Sequence, residues 1–247
     1  MWSGFQTAVR LVYPSRCLGC GDMVDSDFGL CGPCWRDTPF ISGTVCEACG
    51  TPVMGGPDGF RIECDDCMAR PRPWSMGRSA LIYEGRARKM VLALKHGDRP
   101  EIARPAAQWM ARAAKPFLRP KMLIAPVPLH WTRLVQRRYN QAALLAQALA
   151  DETGLSCCPD LLVRTRRTQM LEHKGVDQRF ATLSGAITDH RKRRHRMAAR
   201  GVVLVDDVMT SGATLTACAD ACLQAGACEV FVITLARACR DRQIAGA

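Results

Sequence analysis

Long apolar runs are missing from this sequence of 247 residues. Its first residues, MWSGFQTAVRLVYPSR, contain no extended hydrophobic region of the kind found in secretory signal peptides. The longest later runs, such as VFVITLA, have only the length of a strand. We therefore expect a chain that is not exported, has no membrane span and works in the cytoplasm.

Acidic residues are also scarce, with 23 Asp and Glu against 34 Lys and Arg, for a formal net charge of +11. This balance suits a polyanionic partner such as a phosphorylated metabolite or a nucleic acid, although it also serves solubility alone. Hydrophobic residues make up 48% of the chain, which is typical of a globular protein and excludes a disordered one. The length predicts one sizeable core and a small additional module.

Familiar catalytic patterns are absent as well, because the five histidines show no metal spacing and no Ser-His-Asp or Cys-His signature stands out. Cysteine, in contrast, is abundant, with 14 residues. Eight of them form C-x-x-C pairs, which are Cys17/Cys20, Cys31/Cys34, Cys46/Cys49 and Cys64/Cys67. Disulfides are not expected in a chain without a secretion signal.

Two thiolates spaced in this way can reach one tetrahedral zinc ion from a tight turn. A single C-x-x-C pair is also compatible with a redox motif, but four pairs so close together favour structural zinc. We expect two closed four-thiolate Zn²⁺ sites. The first pair joins the second and the third joins the fourth, because this pairing closes each loop locally. The segment resembles a double zinc ribbon.

Composition changes around ARPRPWSMGR, where prolines and arginines predict a linker. We expect a double zinc ribbon over residues 1–70, a linker over 71–80 and a second domain over 81–247. In that domain the strand patterns MLIAPVPL, LLVR, GVVLV and EVFVITLAR alternate with helical patterns such as NQAALLAQALADETG. The alternation predicts an α/β fold with a parallel sheet flanked by helices.

The string VVLVDDVMTSGATL, from Val202 to Leu215, combines a strand, two acids and a loop of small residues. Ligands of open parallel sheets bind beyond the carboxyl ends of the strands, where Asp206 and Asp207 are expected. Small residues at the start of a helix cradle a phosphate, and carboxylates accept hydrogen bonds from ribose hydroxyls. An ordinary capped strand-turn-helix explains a lone Asp-Asp pair, but not the whole string.

This string resembles the phosphoribosyl pyrophosphate (PRPP) motif of type I phosphoribosyltransferases. With the cysteine-rich segment, and with YPSRCLGCG, LKHGDR, PVPLH and RRYNQ, nearly the whole chain resembles the ComF family of competence-associated phosphoribosyltransferase-like proteins. The resemblance implies a type I phosphoribosyltransferase fold with a small N-terminal double zinc ribbon. It also implies PRPP as a ligand, accompanied by Mg²⁺.

The resemblance further implies which residues act. Asp206 and Asp207 would fix the ribose and form the catalytic set with Arg137 and Arg138. Further PRPP-binding residues would be Val208, Met209, Thr210, Ser211, Gly212, Ala213 and Thr214 in the loop, and Pro126, Val127, Pro128, Leu129, Arg133, Asn140 and Gln141 across the site. Lys95 is a weaker candidate, because a lysine at a helix end is often only solvated.

Two polar segments leave alternatives open. Residues 164–180 lack a strand pattern and are either a mobile loop that covers the ligand, as in related enzymes, or a plain surface loop. Shortly after them, Thr182 stands where the family usually has Asn, which weakens any role for that position. The basic run over 189–200 either contacts a nucleic acid backbone or is a solvated loop, and the absence of interleaved aromatic residues favours the loop.

The expected function is phosphoribosyl transfer in nucleotide metabolism or DNA uptake, with a nitrogen nucleophile displacing pyrophosphate from PRPP. The acceptor cannot be read, since a nucleobase, an amine or ammonia would each fit. The alternative is a non-catalytic PRPP- or nucleotide-binding adaptor that acts on single-stranded DNA in natural transformation or repair, with DNA-uptake proteins as partners. A third reading is a zinc-ribbon interaction module with a vestigial transferase half.

Overall fold

The computed structural model describes residues 15–24, 29–54, 61–96, 99–166 and 175–239. The strands in these ranges are β1 Met76–Ile82, β2 Leu123–Pro126, β3 Ser156–Cys157, β4 Leu162–Arg164, β5 Ile187–Asp189, β6 Gly201–Met209 and β7 Glu229–Arg237. The α-helices are α1 Gly32–Arg36, α2 Asp65–Ala69, α3 Gly85–His96, α4 Ala103–Ala114, α5 Trp131–Arg137, α6 Gln141–Thr153, α7 Val176–Leu183 and α8 Ala213–Gln224. Short 3₁₀ turns cover Pro100–Ile102 and Arg194–Arg196.

Five strands form a parallel sheet in the order β1-β7-β6-β2-β3. Parallel strands are covered on both faces and therefore consist of nearly continuous apolar residues, as the central strands β6 and β7 do. The predicted parallel α/β sheet is thus confirmed. The predicted strand LLVR also forms, as β4, but it pairs antiparallel with β5 in a separate two-stranded sheet.

The helices divide between the two faces of the sheet. Helices α3, α4 and α6 pack with Val203 and Val205 of β6 in one core cluster. Helix α8 packs with Val202 and Leu204 in the other, because successive side chains of a strand point to opposite faces. None of the helices in the described ranges is both long enough and apolar enough to cross a membrane.

The cysteine-rich segment is built onto the edge of this sheet. Its residues 39–41 run antiparallel to β1, with the N–H of Ile41 donating to Ala80 O at 3.0 Å and the N–H of Ile82 donating to Pro39 O at 2.9 Å. Further along, the N–H of Gly77 donates to Glu47 O at 2.9 Å. The segment therefore covers the β1 edge, which would otherwise expose unpaired backbone groups.

This attachment corrects the predicted linker over 71–80. Strand β1 begins at Met76, inside that range, so residues 76–80 belong to the sheet. The prolines at the start of the range suggested an open connection. The strand that follows was missed because Gly77, Arg78 and Ser79 interrupt the apolar run by which a strand covered on both faces is recognised.

Gly77 allows the backbones of the two parts to touch. A Cβ atom at this position would lie 2.4 Å from the carbonyl oxygen of Ala48, which is backbone and cannot rotate away. Gly32, in contrast, has no heavy atom within 4 Å of the corresponding position. Close backbone approach of this kind is available only to glycine.

We expect Gly77→Ala to lower the free energy of unfolding by about 1–3 kcal/mol, as overpacking of a tight contact does. The matched substitution Gly32→Ala should be neutral or slightly stabilising, because helix formation favours alanine. Urea unfolding followed by circular dichroism measures both changes. Equal midpoints for the two variants would contradict the close contact.

Candidate functional site

The eight paired cysteines form two clusters. Cys17, Cys20, Cys31 and Cys34 make the first, and Cys46, Cys49, Cys64 and Cys67 make the second, each with all its Sγ atoms within 4.8 Å of one another. The predicted pairing of first with second and third with fourth is thereby confirmed. Elsewhere in the described ranges, no group of three or more His, Cys, Asp or Glu residues could hold a metal.

Backbone donors support the thiolate form of these ligands. The N–H groups of Gly19 and Cys31 donate to Cys17 Sγ at 3.3 and 3.2 Å, and the N–H of Cys64 donates to Cys46 Sγ at 3.3 Å. Such bonds favour the charged form of sulfur, which is the form that binds zinc. Both clusters are therefore structural Zn²⁺ sites of the closed four-thiolate type.

The acid pair lies near the carboxyl end of β6. Asp207 is only 4% exposed, and its Oδ2 atom lies 3.1 Å from Nζ of Lys95 on α3. The same residue accepts a hydrogen bond from the N–H of Val208 at 2.8 Å through Oδ1. Asp206 accepts in the same way from the N–H of Asp207 at 2.9 Å. Two adjacent carboxylates thus stand beside one cation at a strand end.

Burial and nearby charges shift the pKa values of Asp206 and Lys95. Burial, followed by the charge of Asp207, raises the pKa of Asp206 well above its usual range. Burial alone would lower the pKa of Lys95, but the nearby carboxylates of Asp207 and Asp206 outweigh it and raise that pKa. Lys95 is consequently held as a cation that offsets the charge of the acids.

The loop after β6 leads into the N-terminus of α8. Gly212 adopts a left-handed conformation with φ of 79° at the N-cap, and Ser211 Oγ accepts from the N–H of Ala213 at 3.4 Å. Residues 208–215, with Asp206 and Arg179, enclose a small recess at this point. Free N–H groups and the helix dipole make such a recess attractive to an anion.

A cavity of about 650 Å³ joins these parts, within the range usual for small-molecule sites. Asp206, Asp207, Thr210 and Thr214 line one side. The loop after β2 and the start of α6 also line the cavity, and its cations are Lys95, Arg88, Arg133, Arg164 and Arg179. The arrangement can therefore hold a ligand that carries both hydroxyls and several negative charges.

Known proteins match both parts of the chain. A double zinc ribbon domain matches residues 8–68, and a phosphoribosyl transferase domain matches residues 140–244. The DNA utilization protein YhgH of Salmonella typhi is 30% identical over 236 residues, spanning 92% of this chain and 99% of that protein. The chain belongs to the ComF family.

Two more relatives share most of this length. Competence protein F of Haemophilus influenzae is 27% identical, over 90% of this chain and 97% of that protein. Competence protein ComFC of Bacillus subtilis is 26% identical, over 87% of each. The ComF chain accordingly combines the type I phosphoribosyltransferase fold with an N-terminal double zinc ribbon.

Many of the predicted site residues of this ComF chain meet around the cavity and its recess. Those lining the cavity are Val127, Pro128, Leu129, Arg133, Gln141, Asp206, Asp207, Val208, Thr210 and Thr214, together with the weaker candidate Lys95. Those lining the recess include Met209, Ser211, Gly212 and Ala213. Gln141 is 4% exposed, and its Oε1 atom has no hydrogen-bond partner in the described part of the chain. The binding roles of all these residues stay predictions.

Two other predicted residues, Arg138 and Asn140, are not among those that line the cavity. Arg138 is exposed at the left-handed C-cap of α5 and does not line it, and the Arg137 side chain lies outside what the structure describes. Asn140 caps α6 by accepting from the N–H of Ala142 at 3.0 Å and donates to Val127 O at 3.0 Å. The first bond caps the helix, and the second ties its start to the loop after β2. A direct ligand role for these three residues remains a prediction.

Three arginines of the cavity, Arg88, Arg164 and Arg179, were missed by sequence reasoning. Arg164 is 8% exposed on β4, where burial and then the charge of Arg133 lower its pKa, and Arg179 lies on α7, where it donates to Thr210 Oγ1 at 3.4 Å. Both stand in the segment 164–180 that was predicted to be a mobile or plain surface loop. Arg164 ends the predicted strand LLVR, whereas the loop prediction is wrong for residues 176–180, which begin α7; residues 167–174 lie outside the described ranges.

Thr182, which stands where the family usually has Asn, lies in the last turn of α7. Its hydroxyl donates to the carbonyl of Gln178 one turn earlier, at 2.6 Å. A hydroxyl bonded to its own helix in this way is satisfied locally. The structure therefore gives Thr182 a helical contact and places it outside the residues that line the cavity.

We expect metal analysis of the purified chain to find about two zinc ions per molecule. Cys17→Ser and Cys46→Ser should each reduce this to about one, because each removes a ligand from a different cluster. Cys228→Ser, at an exposed cysteine outside both clusters, should leave two. A wild-type value near zero, with all thiols freely titratable, would overturn both sites.

Proposed function

We propose that this ComF protein binds PRPP in the cavity beyond β6 and transfers its phosphoribosyl group. The observation that supports this proposal most is the arrangement of side chains around the cavity. Two adjacent acids and a phosphate-type loop at a helix N-terminus share a cavity with several basic side chains. PRPP has ribose hydroxyls, a 5′-phosphate and a pyrophosphate, and each of these finds chemically suited groups there.

In this proposal the recess of residues 208–215 holds the 5′-phosphate, since its N–H groups stand at the start of α8. Asp206 and Asp207 accept hydrogen bonds from the ribose hydroxyls. Both carboxylates also receive a backbone N–H from the next residue, which fixes their orientation before a ligand arrives. Preorganised acceptors of this kind bind with less loss of side-chain freedom.

The pyrophosphate would lie against the cavity cations Lys95, Arg133 and Arg164. Arginine binds phosphate oxygens in a bidentate manner, and burial of Arg164 strengthens that attraction. Mg²⁺ fits the same place, because PRPP oxygens and a carboxylate such as Asp207 are the hard ligands it prefers. When bound, it would neutralise charge on the departing pyrophosphate.

The transfer itself breaks the bond between the anomeric carbon and a pyrophosphate oxygen, whose electron pair leaves with pyrophosphate. A nitrogen lone pair of the acceptor forms the new bond, and the acceptor nitrogen releases its proton to solvent. Positive charge on the ribose ring in the transition state is stabilised by the nearby acids. Positioning and electrostatics therefore supply the catalysis, with no covalent protein intermediate.

A second candidate is the non-catalytic adaptor that binds PRPP or a nucleotide and acts on single-stranded DNA. It is favoured by the names of relatives, which are DNA utilization and competence proteins, and by the net charge of +11. The basic run 189–200 adds little to it. Arg193 pairs with Asp160 at 2.7 Å, and Arg194 makes two 2.8 Å bonds to Asp189.

Both candidates require a reducing compartment. Eight cysteines must remain as thiolates to hold two zinc ions, and oxidation to disulfides would release the metal. We infer a cytoplasmic location on this ground. Protein partners from DNA uptake would then have to be reached on the cytoplasmic side.

Binding and chemistry can be separated by one set of variants. We expect Mg²⁺–PRPP to bind the wild type in calorimetry, and the double change Asp206→Asn/Asp207→Asn to weaken binding at least about tenfold through loss of two charged acceptors. Asp220→Asn, an exposed acid on α8, should bind as the wild type does. Absence of wild-type binding would reject both candidates.

Pyrophosphate release should then be measured with a panel of nucleobases, amines and ammonia. Release that depends on one acceptor and fails in the double variant supports transfer. Binding without release for any acceptor supports the adaptor.

The affinity for PRPP should depend on pH through Asp206. Because its pKa is raised and its carboxylate form accepts the ribose bonds, affinity should increase as pH rises through that pKa. Lys95→Met removes a cation that lowers the pKa of Asp206, so the midpoint should move to higher pH. Lys89→Met, an exposed change on the same helix, controls for titration of PRPP itself. Calorimetry over a pH series that starts at the ordinary carboxyl pKa and extends above it compares the midpoints of the wild type and Lys95→Met. Coincident midpoints would contradict the coupling.

A further inference from the structure

Arg237, the last residue of β7, lies between the second cysteine cluster and the loop after β6. It is 3% exposed. Its Nη1 atom donates to the carbonyl oxygens of Met209, Thr210 and Ala238 at 3.1, 2.7 and 2.6 Å. Its Nη2 atom lies 3.8 Å from Sγ of Cys49. One buried guanidinium therefore contacts both a zinc ligand and the loop after β6, residues 209–213, here called the phosphate loop.

A buried guanidinium requires a compensating negative charge. No carboxylate in the described part of the chain forms an ion pair with Arg237, and the sulfur of Cys49 is the negatively charged group beside it. A zinc ion with four thiolates carries a net charge of −2, from +2 and four charges of −1. The second zinc site is therefore the counter-charge that keeps Arg237 buried beside the loop.

Arg72 makes a second connection from the same side. Its Nη1 atom donates to the carbonyl oxygen of Ser211 at 2.9 Å, and its guanidinium stacks over Trp74 at 5.7 Å. The indole N–H of Trp74 in turn donates to Ala48 O, between Cys46 and Cys49. The second cluster thus reaches the loop through two arginines.

These bonds orient the loop for an anion. In a planar trans peptide the carbonyl and the following N–H point in opposite directions. Arginines that hold the carbonyls of Met209, Thr210 and Ser211 therefore turn the next three N–H groups, on residues 210–212, to the other side. That is how a backbone recess becomes a row of phosphate donors.

The first cluster has different neighbours. Leu18 belongs to the core cluster of α3 and α4, its carbonyl lies 3.4 Å from Nη1 of Arg99, and Trp35 meets Trp109 edge-on at 6.4 Å between ring centres. The second cluster instead packs with α8 on the opposite face of the sheet. Within the described ranges, no hydrogen bond or ion pair joins a first-cluster cysteine to residues 209–213.

We propose that the second zinc site holds the phosphate loop in its binding conformation through the positioning residue Arg237. The first zinc site, in contrast, only stabilises the fold. The identity of the anion as PRPP rests on the proposed function. The mechanical coupling between metal and loop does not, so the two can be tested apart.

The test uses the full-length zinc-loaded chain with Arg237→Gln, Arg237→Lys and the matched control Arg99→Gln, which removes an arginine beside the first cluster. Hydrogen–deuterium exchange of the amides that are hydrogen-bonded to loop residues, on Ala213, Thr216 and Ala238, should become at least about tenfold faster in Arg237→Gln, as expected when charge-assisted bonds that hold the loop are lost. Both zinc ions should remain. Arg237→Lys should restore part of the protection, and Arg99→Gln should match the wild type.

Removal of one metal at a time completes the design. Cys49→Ser should speed exchange in the loop, and Cys31→Ser should leave it unchanged although each loses one zinc. Exchange of the amides of α4 shows whether each variant is still folded. If Cys49→Ser unfolds the chain, the exchange of the loop in Arg237→Gln decides whether the coupling exists. The affinity for Mg²⁺–PRPP should fall about tenfold or more in Arg237→Gln and recover in part in Arg237→Lys.

Loop exchange in Arg237→Gln equal to that of the wild type would overturn the proposal, as would equal acceleration by Arg99→Gln. Faster loop exchange in a protein whose wild type does not bind PRPP would instead uphold the coupling and reject the proposed function. If the wild type binds PRPP but loop exchange in Arg237→Gln equals that of the wild type, the coupling is rejected and the proposed function stands.

Discussion

The parallel pairing of β6 with β7 places the working parts of this molecule side by side. Asp206 is in register with Thr234, and Met209, at the start of the phosphate loop, is in register with Arg237. Both strands are buried on both faces, so their alignment cannot slip without moving a whole set of apolar side chains. The acids, the loop and the arginine behind it are consequently fixed by one strand pair.

Charge balance is the second constraint, because the cavity brings like charges together from several elements. Asp206 and Asp207 repel each other, as do Arg133 and Arg164, and burial makes each repulsion stronger. Lys95 offsets the charge of the acids, and among the described residues that line the cavity Asp206 and Asp207 are the acidic ones. A ligand with hydroxyls at one end and a dense negative charge at the other relieves both groups at once.

Local features of the site were predictable from the sequence, and contacts between distant segments were not. The C-x-x-C spacing and the string VVLVDDVMTSGATL each carry their chemistry within a few residues, so both clusters and the acid-loop unit could be located. Arg164, Arg179 and Arg237 have no local signature. Arg237 looks like the polar end of a strand, and only the pairing of β7 with β6 shows that it lies beneath the loop.

The edge of the sheet was misjudged for the same reason. Residues 39–41 and strand β1 are about 40 positions apart, and hydrogen bonds between them leave no periodic pattern in either segment. Prolines near Arg72 then suggested a free linker. In the folded chain this segment is instead a contact, since Arg72 and Trp74 connect the second cluster to Ser211.

Two zinc sites, and not a larger apolar core, stabilise the cysteine-rich segment, which packs against both faces of the sheet. So short a segment with few apolar runs cannot bury enough surface to fold alone, and metal binding supplies that free energy instead. Zinc offers one thing more that an apolar core lacks, which is a buried negative charge. A leucine core on the α8 face would cover β1 equally well, but it would leave Arg237 without a counter-ion. The four thiolates of the second cluster and Arg237 are therefore matched in charge, and the same arginine holds the carbonyls of the loop.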